Sequence, residues 1–554
     1  CDPETRLEAI IKVTQWIIAG STRLLCITGA AGAGKSALQQ TIAENCKADD
    51  IPVASFFFSA SDPNRNTTKL IIPTIAYQLG TRISEVKDFI TNSVERPGNV
   101  PIFSEPLEAQ IAGLVSKPMR QLQGQKDFKY PYIVILIDGL NECINEDSQT
   151  ELLSAVKRSL LNTDQPFRVI ITSRPEQVIR RALNPGGDLH DLAHHIQLSD
   201  EYDATDDIRR YLRRRLHEIG DRRGGSHWFT EEDLEALVRA ASGQFICAIT
   251  MIQYISEHGT FSVVKERLTK LVRGQFTSDD DQLASPLKRL DLLYAEILSA
   301  AMKKYKVNHN DGSDGEHFLL LVRIYHINCS SGFTFSEPWN ILGPRIEYRF
   351  ETLNAILGLE DTGHELLLSD LGSLMTLNSN ELHVYHESFS DFLDLESRSK
   401  NLFVPSPHAY THITKRLLQH IIDYSLTEVN SELSLDEREQ HPTCKSRPDS
   451  FQAALKYLPL FLKNVPGIDS DLSRFTLEGG WDTVDRLLPS MYEIDPHSMW
   501  YVWGEILSLI SARMKTQYPD VAEAMSEFLD KWRPQFREWS FEAGRKEKQS
   551  VSQT

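Results

Sequence analysis

The sequence predicts an α/β fold over residues 1–200, a parallel sheet with helices on both faces, followed by chain that is almost wholly helical. Three observations predict it. Five short proposed strands, Arg23–Thr28, Pro52–Ser59, Tyr132–Asp138, Phe167–Ser173 and His194–Leu198, alternate with helical patterns, and Tyr132–Asp138 is a continuous β-branched and apolar run. Near-continuous apolar character of that kind marks strands covered on both faces. A glycine-rich stretch joins the first run to a helix-forming segment. Beyond Asp200 strand signals nearly vanish, and helical periodicity recurs at 206–218, 231–241, 244–257 and 263–271.

Taken in order, TRLEAIIKVTQWII places Leu7, Ile10, Ile11, Ile17 and Ile18 on a helix ahead of the first strand. That strand runs into Gly29, Ala30, Ala31, Gly32, Ala33, Gly34, Lys35 and Ser36, which have the spacing G-x-x-x-x-G-K-[S/T]. Such a loop turns successive N–H groups inward, toward phosphate oxygens. The helix that follows, from near Gly34 through Ala37 to Cys46, adds its positive end. Lys35 would bring a point charge to the β- and γ-phosphates of a nucleoside triphosphate, and Ser36 a hydroxyl for Mg²⁺. The alternative is a glycine-rich turn with a surface lysine.

YIVILIDGLNEC ends its apolar run at Asp138, on the carboxyl edge of the sheet, where open α/β folds bind ligands. There Asp138 can hold Mg²⁺ through water, opposite Ser36. Glu142, in the loop that follows, can polarise an attacking water as general base. Read alone, Asp138 is a helix cap and Glu142 a solvated loop acid. FRVIITSRP ends in Ser173 and Arg174. Arg174 can either report a γ-phosphate or pair with a carboxylate that fixes its loop. No N-K-x-D occurs, so the usual guanine-reading motif is missing and adenine is the expected base. The expected ligands are ATP, ADP and Mg²⁺, and the fold class is a P-loop NTPase.

These blocks resemble the NACHT domain of fungal STAND proteins (signal-transduction ATPases with numerous domains), a group also described as nephrocystin-like N-terminal domains. The likeness runs from Cys1 to about Pro175, through TRLEAIIKVTQW, the glycine loop, ASFFFSASDPNRN, LIIPTIAYQL, IDGLNEC and TSRPEQVI in that order. It departs at Asn141, where the family reads a second Asp in D-G/A-L-D-E-C. An amide keeps the hydrogen-bonding shape and cannot act as a base, which implies slower hydrolysis with Glu142 retained. Further on, ASGQFICAITMIQYI is similar to the family's G-L-F-I-Y-A helix, with Phe245 where related immune ATPases place a base-touching proline. LDLLYAEIL (Leu290–Leu298) and LHVYHESFSDFL (Leu382–Leu393) resemble the entry and the histidine-plus-aromatic end of a winged-helix segment. In relatives this histidine reaches the ADP β-phosphate and holds a closed state, which maps to His386. Read from the residues alone, His386 is a capping or core histidine. The resemblance implies a nucleotide-binding domain at 1–200, a helical domain at 201–285, a winged-helix-like domain at 286–396 and a C-terminal helical region at 397–554.

Composition narrows the partners. A formal net charge of -18 argues against sequence-independent nucleic-acid binding, which needs a basic face to displace counterions. IRRYLRRRLHEIGDRR (Ile208–Arg223) is a local exception. Its Ile208, Leu212 and Leu216 form an inner stripe, and its arginines read as a solvated face pairing with the acids of 201–207. Seven dispersed cysteines without metal spacing read as reduced thiols, so the expected location is the cytoplasm. No apolar run approaches the ~20 residues that span a bilayer, so no membrane partner is expected. The polar stretches 278–286, 309–316 and 436–450 read as linkers, and no internal repeat occurs. The chain starts at Cys1 and reads as an excised segment, so a protein trigger and effector partners are expected to act through regions outside it.

The function read from these observations is an ATP/ADP-binding switch. Slow Mg²⁺-dependent hydrolysis resets a closed ADP state latched by His386, and the ATP state self-associates as a homo-oligomer. Two alternatives stay open: a phosphotransferase that uses the same loop, and a nucleotide-binding scaffold without hydrolysis.

Overall fold

The computed structural model describes the chain except residues 1, 3, 61, 96–100, 125–128, 162–165, 199–201, 224, 226, 258, 274–285, 309–314, 331, 334–345, 361–362, 379–380, 430–447, 466, 495–501 and 554. The three linkers read from the sequence, and the domain joins at 200/201 and 285/286, fall mainly on these positions and so lie outside the described residues.

Five strands form one sheet: β1 (Leu24–Thr28), β2 (Val53–Phe57), β3 (Ile133–Asp138), β4 (Phe167–Ser173) and β5 (Ala193–Gln197). They pair in the order β2-β3-β4-β1-β5, every pair parallel. The apolar runs explain the layering, because alternate side chains leave a strand on opposite faces. Leu24 and Cys26 of β1, Ile133, Ile135 and Ile137 of β3, and Phe167, Val169 and Ile171 of β4 pack on one face with the helices Ile71–Arg82 and Glu146–Val156. Leu25, Ile27, Val134, Leu136 and Ile170 pack on the other, against α1 (Leu7–Ala19) and α2 (Lys35–Ala48). Burial of each such Leu or Ile stabilises by about 1.5–3 kcal/mol, which is why neither face tolerates a polar alternation.

The strand order positions the site. From β1 the chain crosses to β2 at the far edge, returns through β3 to β4 beside β1, then places β5 on the other side of β1. The order therefore switches at β1, the point where α/β sheets bind ligands. Thr28 is level with Ser173, and Ile137 with Ile171, so the loops after β1, β4 and β3 open side by side.

Contacts divide the chain into two units. The first is Cys1–Ile297 together with Tyr385–Phe392, and the second is Leu298–Val384 together with Leu393–Thr554. In the first, helices Thr205–Arg223, Glu231–Ala241, Phe245–Ser256 and Phe261–Arg273 follow the sheet. Thr230 and Asp233 form a capping box ahead of Glu231. Most arginines of Thr205–Arg223 are engaged by acids, Arg209 by Asp206 and Glu235, Arg210 by Asp207, Arg213 by Glu231, and Arg214 by Asp2 and Glu218, while Arg223 donates to the Gly259 and Ser256 carbonyls. The second unit holds a two-stranded antiparallel hairpin, β6 (Met375–Asn378) and β7 (Glu381–Val384), with helices before and after it. Its core includes Phe333, Phe461 and Trp503, and a buried Arg323 bonded to Asp394 at 2.6 Å and to Nδ1 of His326 at 2.9 Å. Among the described residues no helix is long and apolar enough to cross a membrane.

Candidate functional site

The loop after β1 is shaped by two glycines that no other residue can replace without strain. Gly32 has φ +76 and Gly34 φ +88, the left-handed region that side chains with a Cβ avoid. A Cβ on Gly32 would also lie 2.0 Å from Cγ2 of Ile246, in the helix Phe245–Ser256. Around Gly34 a Cβ would meet nothing within 4 Å, so only its backbone conformation demands glycine. α2 begins at Lys35, so its first turn presents N–H groups and the positive dipole end to the loop. Lys35 Nζ donates to the carbonyls of Gly29 (2.8 Å) and Ala30 (2.9 Å). Ala31 lies in the turn between them and Gly32, Ala33 is buried, and Ala37 lies in the first turn of α2.

Ser36 and Asp138 converge although 102 positions separate them: both the Ser36 and the Thr172 hydroxyls hydrogen-bond the Asp138 carboxylate. Thr172 in turn accepts from the Gly139 N–H (3.1 Å), which fixes the exit from β3. Burial raises the Asp138 pKa, and these two hydroxyls pull it back. One carboxylate and one hydroxyl make an oxygen-only donor pair, which fits Mg²⁺ completed by water and phosphate oxygens. No cluster of three or more His, Cys, Asp or Glu side chains among the described residues forms a metal cage of its own.

Glu142 ends the short turn Leu140–Glu142, and its Oε2 accepts the Ala60 N–H at 3.2 Å. Burial, and then the neighbouring Glu387 carboxylate, push its pKa up to about 7. Lys35 moves the opposite way, down to about 8, through burial and the Arg174 charge. Asn141 turns its Oδ1 to the Arg174 backbone N–H (2.9 Å), so the amide holds the loop after β4.

Arg174 makes a fork of ion pairs. Nη2 donates to Glu387 Oε2 at 2.6 Å and Nη1 to Asp391 Oδ2 at 2.9 Å, both on the helix Glu387–Asp394. Burial alone would lower the guanidinium pKa, but Glu387 and Asp391 outweigh it and hold it above the ordinary value. His386 stands just before this helix. Its Nδ1 accepts the Ser388 N–H at 3.1 Å and lies 2.8 Å from the Ser388 hydroxyl, which also meets the Tyr294 hydroxyl at 2.8 Å. The imidazole thus caps the helix.

Four participants are absent from the sequence reading. Glu387 and Asp391 sit in a block singled out for its histidine alone, and their i, i+4 spacing was the available signal. Arg6 is buried with φ 56, donates to the Ala33 carbonyl at 2.8 Å and lies over the Phe245 ring at 5.5 Å. Nothing in TRLEAII marks that arginine as inward-facing. Gln39 of α2 reaches the carbonyls of Ile137 (3.3 Å) and Ile170 (3.4 Å), tying the helix to β3 and β4.

Comparison with known proteins gives a partial likeness. Residues 9–174 are similar to a family described as nephrocystin 3, N-terminal, a match that takes in β1 to β4 and ends before β5. No curated protein matches the chain. Among solved structures it is similar to a Signal Transduction ATPase with Numerous Domains (STAND) protein with a tetratricopeptide repeat sensor from Pyrococcus horikoshii. Identity is 14%, the TM-score is 0.31, and the alignment covers 95% of this chain and 65% of that one. The chain therefore spans just under two thirds of that protein, and a likeness so distant decides no detail of the site.

Proposed function

We propose that the chain is an ATP/ADP-operated switch of the NACHT/STAND kind, a slow Mg²⁺-dependent ATPase whose chemistry resets a conformational state. One observation carries this reading: Lys35, Ser36, Asp138, Glu142 and Arg174 meet at the ends of three neighbouring parallel strands. The loop N–H groups and Lys35 would bind the phosphates, and Ser36 and Asp138 would hold Mg²⁺, which would supply charge neutralisation to them. Glu142 takes the proton of the attacking water. With a pKa of about 7 it is roughly half ionised at neutral pH, and the adjacent Asn141 supplies no second carboxylate, which suits slow turnover. The closed ADP state, the latch at His386, the winged-helix character of 286–396, self-association in the ATP state, a protein trigger and a cytoplasmic location belong to the same proposal.

Calorimetry with ATP and ADP, alongside phosphate release, tests it. Lys35→Ala should keep its circular dichroism and lose ATP affinity at least roughly tenfold, since each charge-assisted hydrogen bond contributes about 1.5–3 kcal/mol. Unchanged affinity removes the site assignment. Phosphate that leaves only on an added acceptor would make the chain a phosphotransferase, and bound ATP that is never cleaved would make it a scaffold.

A further inference from the structure

The candidate base is held from outside its own loop. Phe57 is level with Asp138, so the loops after β2 and β3 leave the sheet side by side. Phe58 continues the pairing, its N–H donating to the Asp138 carbonyl at 3.0 Å. Two residues on, the Ala60 N–H donates to Glu142 Oε2 at 3.2 Å. Asn66 then ties the two loops together. It is only 4% exposed, and its Nδ2 donates to the carbonyl of that same Ala60 at 3.4 Å. Its own carbonyl accepts the Ile144 N–H at 3.0 Å, two residues beyond Glu142. The stretch between closes on itself. The Ser59 N–H donates to the Arg65 carbonyl, the Asp62 N–H to Ser59 and the Arg65 N–H to Asp62. On the exposed side, the Asp62 carboxylate accepts from the Asn64 N–H at 2.9 Å and from Arg65 Nε at 2.6 Å.

We propose that Asn66 is a positioning residue for proton transfer: by fixing Ala60 on one side and the loop after β3 on the other, it keeps the Ala60 N–H on Glu142 and the carboxylate aimed. This role rests on the nucleotide reading above, in which Glu142 is the base. A glutamate side chain has several free torsions, so an acid at the end of a loop keeps its aim only if another group fixes it. An N–H that donates to one carboxylate oxygen does this and leaves the other oxygen able to accept from water. The same bond favours the ionised form, against the burial and the Glu387 charge that push the proton back on. The Ala60 methyl cannot anchor its own backbone, and the buried amide of Asn66 does so instead. A residue that merely closed the loop would brace the fold without changing which protonation state Glu142 prefers.

Phosphate release from ATP and Mg²⁺ by the full chain, followed across pH, tests it. Asn66→Ala should lower kcat roughly three- to tenfold, the worth of one hydrogen bond, with KM and the calorimetric ATP affinity nearly unchanged. Without the Ala60 N–H, Glu142 keeps its proton to higher pH, so the acidic limb should move up by as much as about one pH unit. Glu387, Asp138 and Arg174 also face Glu142 and are unaltered. Lys35 is unaltered too, so the fall above about pH 8 should stay where it is. A second readout needs no nucleotide. The infrared band of the protonated Glu142 carboxyl, identified by its loss in Glu142→Gln, should persist to higher pH in Asn66→Ala than in the parent. Should Asn66→Ala fail to fold, Asp62→Ala, which loosens the same loop from its exposed side, should give smaller shifts in the same directions. An unchanged acidic limb, both limbs moving together, a loss confined to KM, or a Glu142 band that titrates as in the parent overturns the proposal. The nucleotide reading fails separately, if the parent releases no phosphate or if Glu142→Gln releases it as fast. The infrared titration then still decides whether Asn66 governs Glu142.

Discussion

Replacing Gly32 by alanine probes how closely the glycine loop and the helix Phe245–Ser256 depend on each other. Two costs arise, and the structure separates them. The first is conformational: φ +76 is left-handed, which costs an L-residue about 1–2 kcal/mol. The second is steric, because the new methyl would lie 2.0 Å from Ile246 Cγ2, and overpacking of this kind costs about 1–3 kcal/mol. Gly32→Ala should therefore lose about 2–5 kcal/mol, a large part of the 5–15 kcal/mol that holds a typical domain. Gly34→Ala is the control. Its φ of +88 carries the conformational cost, with no atom within 4 Å, so about 1–2 kcal/mol should go. Equilibrium urea denaturation measures both. Ile246→Ala removes the obstructing atom, so combined with Gly32→Ala it should show a favourable coupling of about 1–3 kcal/mol. Equal losses for the two glycine variants, or no coupling with Ile246→Ala, would mean that the helix does not crowd the loop and that the argument from contact is wrong.

Three further outcomes follow from the site. The pH profile of kcat/KM for ATP hydrolysis should be a narrow bell. Glu142 must be deprotonated, so its limb rises through about 7, while Lys35 must stay protonated, so activity falls above about 8. Glu387, Asp138, Arg174 and the Ala60 N–H all face Glu142 and set where that limb lies. Glu142→Gln should abolish turnover with nucleotide still bound, and a variant as fast as the parent would show that Glu142 is not the base. His386→Leu should lose the cap on the helix Glu387–Asp394, lowering stability by about 0.5–2 kcal/mol in thermal or urea unfolding. A latch would add a selective loss of ADP affinity of roughly tenfold or more. Equal changes for ADP and ATP would leave the residue with the cap alone.

The sheet was legible because its cause is local. β1 and β3 are apolar up to their last residue, and each strand lies within a few residues of the stretch that predicts it, as Ile133–Asp138 does within Tyr132–Asp138. The same holds for the helix Glu231–Ala241, which needs only its amphipathic stripe and its cap. What stayed hidden depends on which distant groups meet. Arg174 reads first toward a γ-phosphate, with a carboxylate as the alternative, and only folding shows that two acids more than 200 positions away reach it. Arg6 reads as an ordinary helix-start residue until Ala33 and Phe245 close around it. The π-helical turns Ala112–Ser116 and Lys157–Leu161 leave no compositional trace either. Their packing, with Ser116 Oγ donating to the Ser159 carbonyl at 2.8 Å, is a tertiary contact.

The first unit is not one stretch of chain, and this matters while the protein is being made. All five strands of the sheet have been synthesised once β5 ends at Gln197, yet Glu387 lies 190 positions further along the chain. At roughly 5–20 residues per second that gap lasts about 10–40 s. During it, the nascent sheet presents Arg174 with neither of its two later partners. On the proposed function, nucleotide in the surrounding solution would reach the arginine before its own carboxylates exist. The first occupant of the site in each new molecule would be set by the order of synthesis, and the resting arrangement described here would be reached only afterwards, by exchange.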